Sequence, residues 1–283
     1  METQTLKIEP GFIYGTAWKE ELTETCVFSA LAAGYRAIDT ANQRKHYNEE
    51  GVGKALARAY SELGLKREDL FLQSKFTYAR GQDHRLPYDK NAPLKLQVQQ
   101  SFESSLQHLQ TDTLDSYILH GPSSSSGLTD SDWETWGAME VLGLSGKVKH
   151  LGISNVNYAQ LIELYEKSSI KPTFVQNRCF AETGWDKTIR EFCVSKKIIY
   201  QGFSLLTANS NFLVGELHPE VCATLKQTGK NIQQVIFRFA QQLGMLPITG
   251  TRSPLHMKSN LEICDLVLTD DQMRTLESIA FLD

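Results

Sequence analysis

The chain has 283 residues, 41% of them hydrophobic and 22% charged, with 29 Lys and Arg against 33 Asp and Glu for a formal charge of -4. This is ordinary globular composition, and a chain of this length buries about three quarters of its unfolded surface. The charge balance argues against a nucleic-acid surface as the main business, since such a surface concentrates positive charge.

No run of about 18 apolar residues is present, so no membrane span is expected. The opening METQTLKIEPGF lacks a basic stretch followed by an apolar one, so no signal peptide is expected. The five cysteines are odd in number and form no CxxC pair, which argues against a disulfide framework and a zinc cluster. Reduced thiols in a cytoplasmic setting are the simplest expectation, with no bound metal.

In chain order, short apolar runs alternate with amphipathic stretches. Residues 12–15 read as a first strand, 22–33 as a helix and 35–39 as a strand. A helix over 49–63 stops at Gly64, and a strand over 70–75 follows. Further helices are predicted over 94–109, 133–142, 158–167 and 187–196. The strands between and after them fall at 114–120, 148–154, 174–178 and 198–203. Two helices come next, 220–227 and 232–243, then a strand at 246–249 and a helix at 271–279.

Repeated βα units imply parallel strands with right-handed crossovers, and eight of them without a composition break fit a single-domain α/β fold, the closed (β/α)8 TIM barrel, over residues 1–283. The rival is an open doubly wound sheet, which would favour a GxGxxG turn after the first strand. Gly15-Thr16-Ala17-Trp18 stands there instead. Gly51-Val52-Gly53 opens a helix and reads as helix packing. Two polar loops, 78–93 and the serine-rich 121–127, leave the carboxyl ends of strands, where barrels place substrate loops.

On that barrel Asp39, Lys75, His120, Ser154, Asn155, Gln176 and Ser204 would gather at one mouth. Each alone has a plainer role, as a helix cap, a solvated lysine or a packed histidine. Together they must offset each other's burial. No HExxH, GxSxG or paired-carboxylate spacing directs the chemistry to metal, serine or glycoside hydrolysis. Tyr47 lies eight positions after Asp39, in the loop entering the next helix. A phenol ordinarily ionises near pH 10, and a neighbouring lysine would make it a better acid. Asp39 would hold Lys75, and His120 would orient a carbonyl oxygen. The set holds a proton donor and no nucleophile, which suits carbonyl protonation while another group supplies hydride.

Residues 34–41 (GYRAIDTA) with 47–56 (YNEEGVGKAL), 114–122 (LDSYILHGP) and 152–155 (GISN) together resemble the signatures of the aldo-keto reductase family, and the resemblance runs in order over nearly the whole chain. It implies a (β/α)8 barrel, expected as a monomer, that reduces aldehydes and ketones with NADPH or, in some members, NADH. It implies that Asp39, Tyr47, Lys75 and His120 form the catalytic tetrad. Thr16, Ser154, Asn155, Gln176, Phe203, Ser204 and Leu206 would meet the nicotinamide and pyrophosphate, and Trp18 the substrate. Three departures stand out. The spacing from Asp39 to Val52-Gly53 is two residues longer, so His46 and Tyr47 both fall near the tyrosine position, and Tyr47 carries the needed phenol. Gly250-Thr251 and His256 replace the usual Lys-Ser and arginine at the 2′-phosphate, leaving Thr251, Arg252, His256, Lys258 and Asn260 to rebuild it, with weakened NADPH preference and real NADH use. Gly121 replaces a large aromatic, which implies an open pocket walled by Trp18, Tyr78 and the serine-rich loop. Two alternatives stay open: a non-catalytic subunit sensing nicotinamide nucleotides on the same barrel, and a barrel isomerase using Lys75.

Overall fold

In a computed structural model, which describes residue 8 and residues 11–282, eight short strands pair in parallel in sequence order and close on themselves. They are β1 (Ile13–Gly15), β2 (Ala37–Asp39), β3 (Phe71–Phe76), β4 (Leu114–Leu119), β5 (Val148–Ser154), β6 (Phe174–Arg178), β7 (Ile199–Phe203) and β8 (Met245–Thr249). Closure comes where β1 pairs with β8, Ile13 opposite Ile248 and Tyr14 opposite Thr249. The predicted barrel is therefore the observed one.

The crossovers carry α1 (Thr23–Ala33), α2 (Glu49–Glu62), α3 (Leu94–Leu109), α4 (Asp130–Leu144), α5 (Tyr158–Lys167) and α6 (Lys187–Lys196). After β7 come α7 (Ser210–Leu213), α8 (Pro219–Thr228) and α9 (Ile232–Gln242). After β8 come α10 (Pro254–Leu261) and α11 (Asp270–Glu277). The sequence reading did not anticipate α10, whose start is set by Ser253 capping the His256 N–H and by Pro254 in the first turn. Capping boxes start α4, α5, α9 and α11, each with an Asp or Gln three residues after a Thr or Asn.

Strand periodicity explains the barrel's interior. Side chains alternate between faces with period two, so inward positions climb each strand in steps of two. At the amino-terminal end they are apolar: Ile13, Ala37 and Leu246 form a buried plug packed with Phe71, Ile199 and Ile248. Two residues higher on β2, β3, β6 and β7 they become Asp39, Gln73, Gln176 and Gln201, all buried and hydrogen-bonded to one another across the lumen. The outer faces of the strands pack on the helices in the main core, with Trp136, Trp185 and Phe239 among its largest side chains.

Gly53 bears out the packing reading. A Cβ there would lie 2.0 Å from the His108 carbonyl oxygen, so the backbones of α2 and α3 touch at this point. The contact fixes α2, and with it the loop carrying Tyr47. We expect Gly53→Ala to lower stability by about 1–3 kcal/mol, as overpacking does. Urea unfolding checks this, and an unchanged midpoint would show that the two helices can part freely.

Candidate active site

Lys75 and Asp39 form the site's fixed centre. Lys75, on β3, is completely buried, and its ammonium donates to both Asp39 oxygens at 2.7 Å and to the Thr40 carbonyl at 2.8 Å. Three bonds use all three ammonium hydrogens. Asp39 also accepts from Gln73 Nε2 at 2.7 Å and Gln176 Nε2 at 3.0 Å. Burial pushes the Lys75 amine below its ordinary value, while Asp39 pulls it back up.

Tyr47 and His120 stand beside this pair. The Lys75 ammonium lies 5.2 Å from the centroid of the Tyr47 ring, and the Tyr47 and His120 rings are 6.0 Å apart, edge to face. The two residues between which the sequence hesitated part company here. His46 stacks on Trp18 with ring centroids 3.9 Å apart, so it is Tyr47 that joins the lysine. The tuning of that phenol differs from the expectation. Burial, with Asp39's negative charge adding to it, raises the phenol above its usual range. Lys75's donors are spent on Asp39 and Thr40, so its charge is largely neutralised locally and no Lys75 hydrogen bond reaches the hydroxyl. Tyr47 therefore keeps its proton across ordinary pH. His120 is neutral: burial first, then the charges of Lys75 and His46, push it down to about 3. Its Nδ1 lies 2.7 Å from Thr77 Oγ1.

Two cavities meet at these residues. The larger, about 670 Å³, runs as a groove from the barrel mouth toward α10, and the smaller is about 310 Å³. Ala17, Trp18, Tyr47, His120 and Asn155 wall both.

Most of the expected cofactor residues line the groove: Ser154, Asn155, Gln176, Phe203, Ser204, Leu206, Thr251, Arg252, His256 and Asn260. Several are already engaged. Gln176 is bonded to Asp39 and Gln201, Asn155 donates to the His120 carbonyl, and the Thr251 hydroxyl accepts from the Ser253 N–H. Arg252 donates to the Trp18 carbonyl. Thr16 departs from its expected place: it is fully buried, its hydroxyl donates to the Asp39 carbonyl, and it does not line the groove. Lys258, named as a possible part of the phosphate site, does not line it either.

Lys19 stands in that wall unforeseen. It is 2% exposed, donates to the Gly250 carbonyl at 3.0 Å, and has no carboxylate partner among the described residues. Its Nζ would sit 3.3 Å from a Cβ on residue 250, so the glycine there leaves room for it. Burial pushes its amine down to about 8, Cys26 countering and Arg252 adding to the fall.

In the smaller cavity Trp18, Tyr78 and Gly121 take their expected places. The rest of the serine-rich loop does not line it: Asp132 binds the Ser123 N–H and hydroxyl, and Gln160 binds the Ser124 carbonyl. Gln43, Thr77 and Arg80, from the loops after β2 and β3, supply the wall in its stead.

The groove's donors fit a dinucleotide. An aromatic face (Phe203) lies near amide and hydroxyl groups, and Lys19 and Arg252 supply cations for phosphate. Trp18, Asn155 and Ser204 hold φ of 60°, 52° and 57°, left-handed backbone that non-glycine residues seldom adopt and that gathers at binding sites.

A barrel with this constellation at its carboxyl-terminal mouth is the architecture of a barrel oxidoreductase. Over residues 13–280 the chain matches the model of the aldo/keto reductase family, and it belongs to that family. It is 32% identical to the uncharacterized oxidoreductase YtbE of Bacillus subtilis (strain 168), over 95% of this chain and 89% of that one. It is 31% identical to a glyoxal reductase of the same organism, over 92% and 83%. A crystal structure of an aldo/keto reductase from Brucella melitensis superposes with a TM-score of 0.80 at 28% identity, covering 98% of this chain and 99% of that one.

The buried pair yields a stability test. Asp39→Asn leaves an ammonium buried without its counter-charge, which costs about 3–5 kcal/mol. Thermal or urea unfolding near neutral pH measures it. A loss below about 1 kcal/mol would mean that Lys75 is neutral in the folded protein.

Proposed function

We propose that this protein reduces aldehydes or ketones to alcohols at the junction of the two cavities, using a reduced nicotinamide dinucleotide held in the groove. The observation that carries the reading is the shared wall: the only phenol and imidazole lining both cavities, among the described residues, stand over the buried Lys75–Asp39 pair.

When bound, the dinucleotide supplies the hydride. The chain's own residues do the rest. Tyr47 holds the proton at its hydroxyl and gives it to the carbonyl oxygen, while the ammonium near its ring stabilises the phenolate as it forms. His120, kept neutral, positions the same oxygen through Nε2–H, the tautomer in which Thr77 donates to Nδ1. Asp39 holds the ammonium in place, and Gln73 and Gln176 hold Asp39. Tyr47→Phe should abolish turnover of a simple aldehyde such as 4-nitrobenzaldehyde while dinucleotide binding persists. Retained turnover would remove Tyr47 as the acid.

We take NADPH as the first cofactor, with a weak preference over NADH. Among the described residues Arg252 is the one guanidinium near the proposed 2′-phosphate end and is tethered to Trp18, and the imidazole of His256 lacks a guanidinium's bidentate fork for phosphate. Lys19 holds the pyrophosphate through an ammonium that deprotonates as pH rises past about 8. Fluorescence titration should show NADPH and NADH binding within about tenfold of each other, both weakening as pH climbs from about 7 to 9. In Lys19→Met that pH dependence should vanish. A dependence that survives in the variant assigns it to another group.

A further inference from the structure

The smaller cavity carries one formal charge that no step above uses. Arg80 lies in a short turn after β3 and, among the described residues, is the only Asp, Glu, Lys or Arg lining this cavity, alongside Gln43, Tyr47, Thr77, Tyr78 and His120. No carboxylate pairs with it among the described residues. Its two terminal nitrogens donate to the carbonyls of Pro122 and Ser123, in the loop after β4 and just beyond Gly121. Ser123 is itself anchored by Asp132 through its N–H at 2.6 Å and its hydroxyl at 2.8 Å.

The guanidinium is thus a cation fixed in orientation at the cavity's edge. It has five N–H donors. Two bonds to carbonyls leave three, enough for a carboxylate. The carbonyls fix the plane without cancelling the charge. At about 310 Å³ the cavity is of small-molecule size, and its other polar residues are formally uncharged when His46 and His120 are neutral.

We propose that the preferred substrates are oxo-acids: small aldehydes or ketones whose far end bears a carboxylate bound by Arg80. This rests on the reductase reading for the reacting end of the molecule. The anion-binding part stands on Arg80 alone and can be measured without turnover.

The experiment pairs a charged substrate with a neutral one of the same shape. With 4-carboxybenzaldehyde and methyl 4-formylbenzoate, kcat/KM for the wild type should favour the acid by tenfold or more at low salt. Added salt should narrow the ratio, because Arg80 is solvent-exposed. In Arg80→Gln the ratio should fall to near one. If the variant lowers both substrates alike and keeps the ratio, Arg80 only ties the two loops together and the proposal is overturned. In parallel, tryptophan fluorescence follows titration with benzoate and benzamide, since Trp18 lines the cavity. Saturable benzoate binding that Arg80→Gln abolishes supports the anion site even if neither aldehyde is turned over, in which case only the reductase reading fails. Equal binding of benzoate and benzamide overturns the anion site whatever the turnover.

Discussion

A buried charge pair sets the terms for this site. Lys75 and Asp39 sit inside a barrel whose lower half is a hydrocarbon plug, and neither ion is tolerable there alone. The ammonium is satisfied by three acceptors and the carboxylate by donors from β3 and β6. Such saturation makes a buried pair rigid, and rigidity is what a proton-transfer site needs from its supporting residues. It also has a cost in tuning. An ammonium with every hydrogen spoken for acts on the neighbouring phenol through its field only, and burial outweighs that field in the ground state. In the proposed mechanism the help it gives is therefore greatest when negative charge appears on the phenol.

The barrel was legible because strand and helix periods alternate without interruption, and because a closed parallel sheet asks little else of a sequence. Asp39, Lys75 and His120 were legible because each stands at or just past the end of an apolar strand, and Tyr47 because a phenol lies in the loop that follows Asp39. What escaped the reading has specific physical causes. Lys19 lies in a Lys-Glu-Glu run that reads as a solvated surface, and only the fold shows β1's exit turning it inward under Gly250. Gln73 and Gln201 look like solvent-facing positions until the barrel closes and makes them partners 128 residues apart. The serine-rich loop looked like a substrate wall because polar loops at strand ends often are. The carboxylate of Asp132, capping α4, fastens Ser123, and of this loop only Gly121 lines the smaller cavity. The longer loop before α2 left His46 and Tyr47 both near the expected position, and in the fold His46 lies against Trp18 while Tyr47 stands beside Lys75.

The two cavities differ in their linings. The groove offers cations, hydroxyls and an aromatic face along its length, while the smaller cavity is walled mostly by polar and aromatic groups. Trp18 is common to both, 59% exposed and in left-handed backbone, and its carbonyl receives Arg252 from the far side of the groove. The loop after β1 is thereby tied to the loop after β8 at the point where the sheet closes.

The glutamine lattice around Asp39 has a bearing on how the molecule comes into being. Its members belong to the second, third, sixth and seventh strands, so the lattice gains its last member, Gln201, only after more than two thirds of the polypeptide has been laid down. A nascent half-barrel would hold the acid and its lysine with fewer donors and an open lumen. The full lattice around this centre is thus assembled only once the seventh strand joins the sheet, and a fragment that stops short of the sixth leaves the carboxylate without its Gln176 donor.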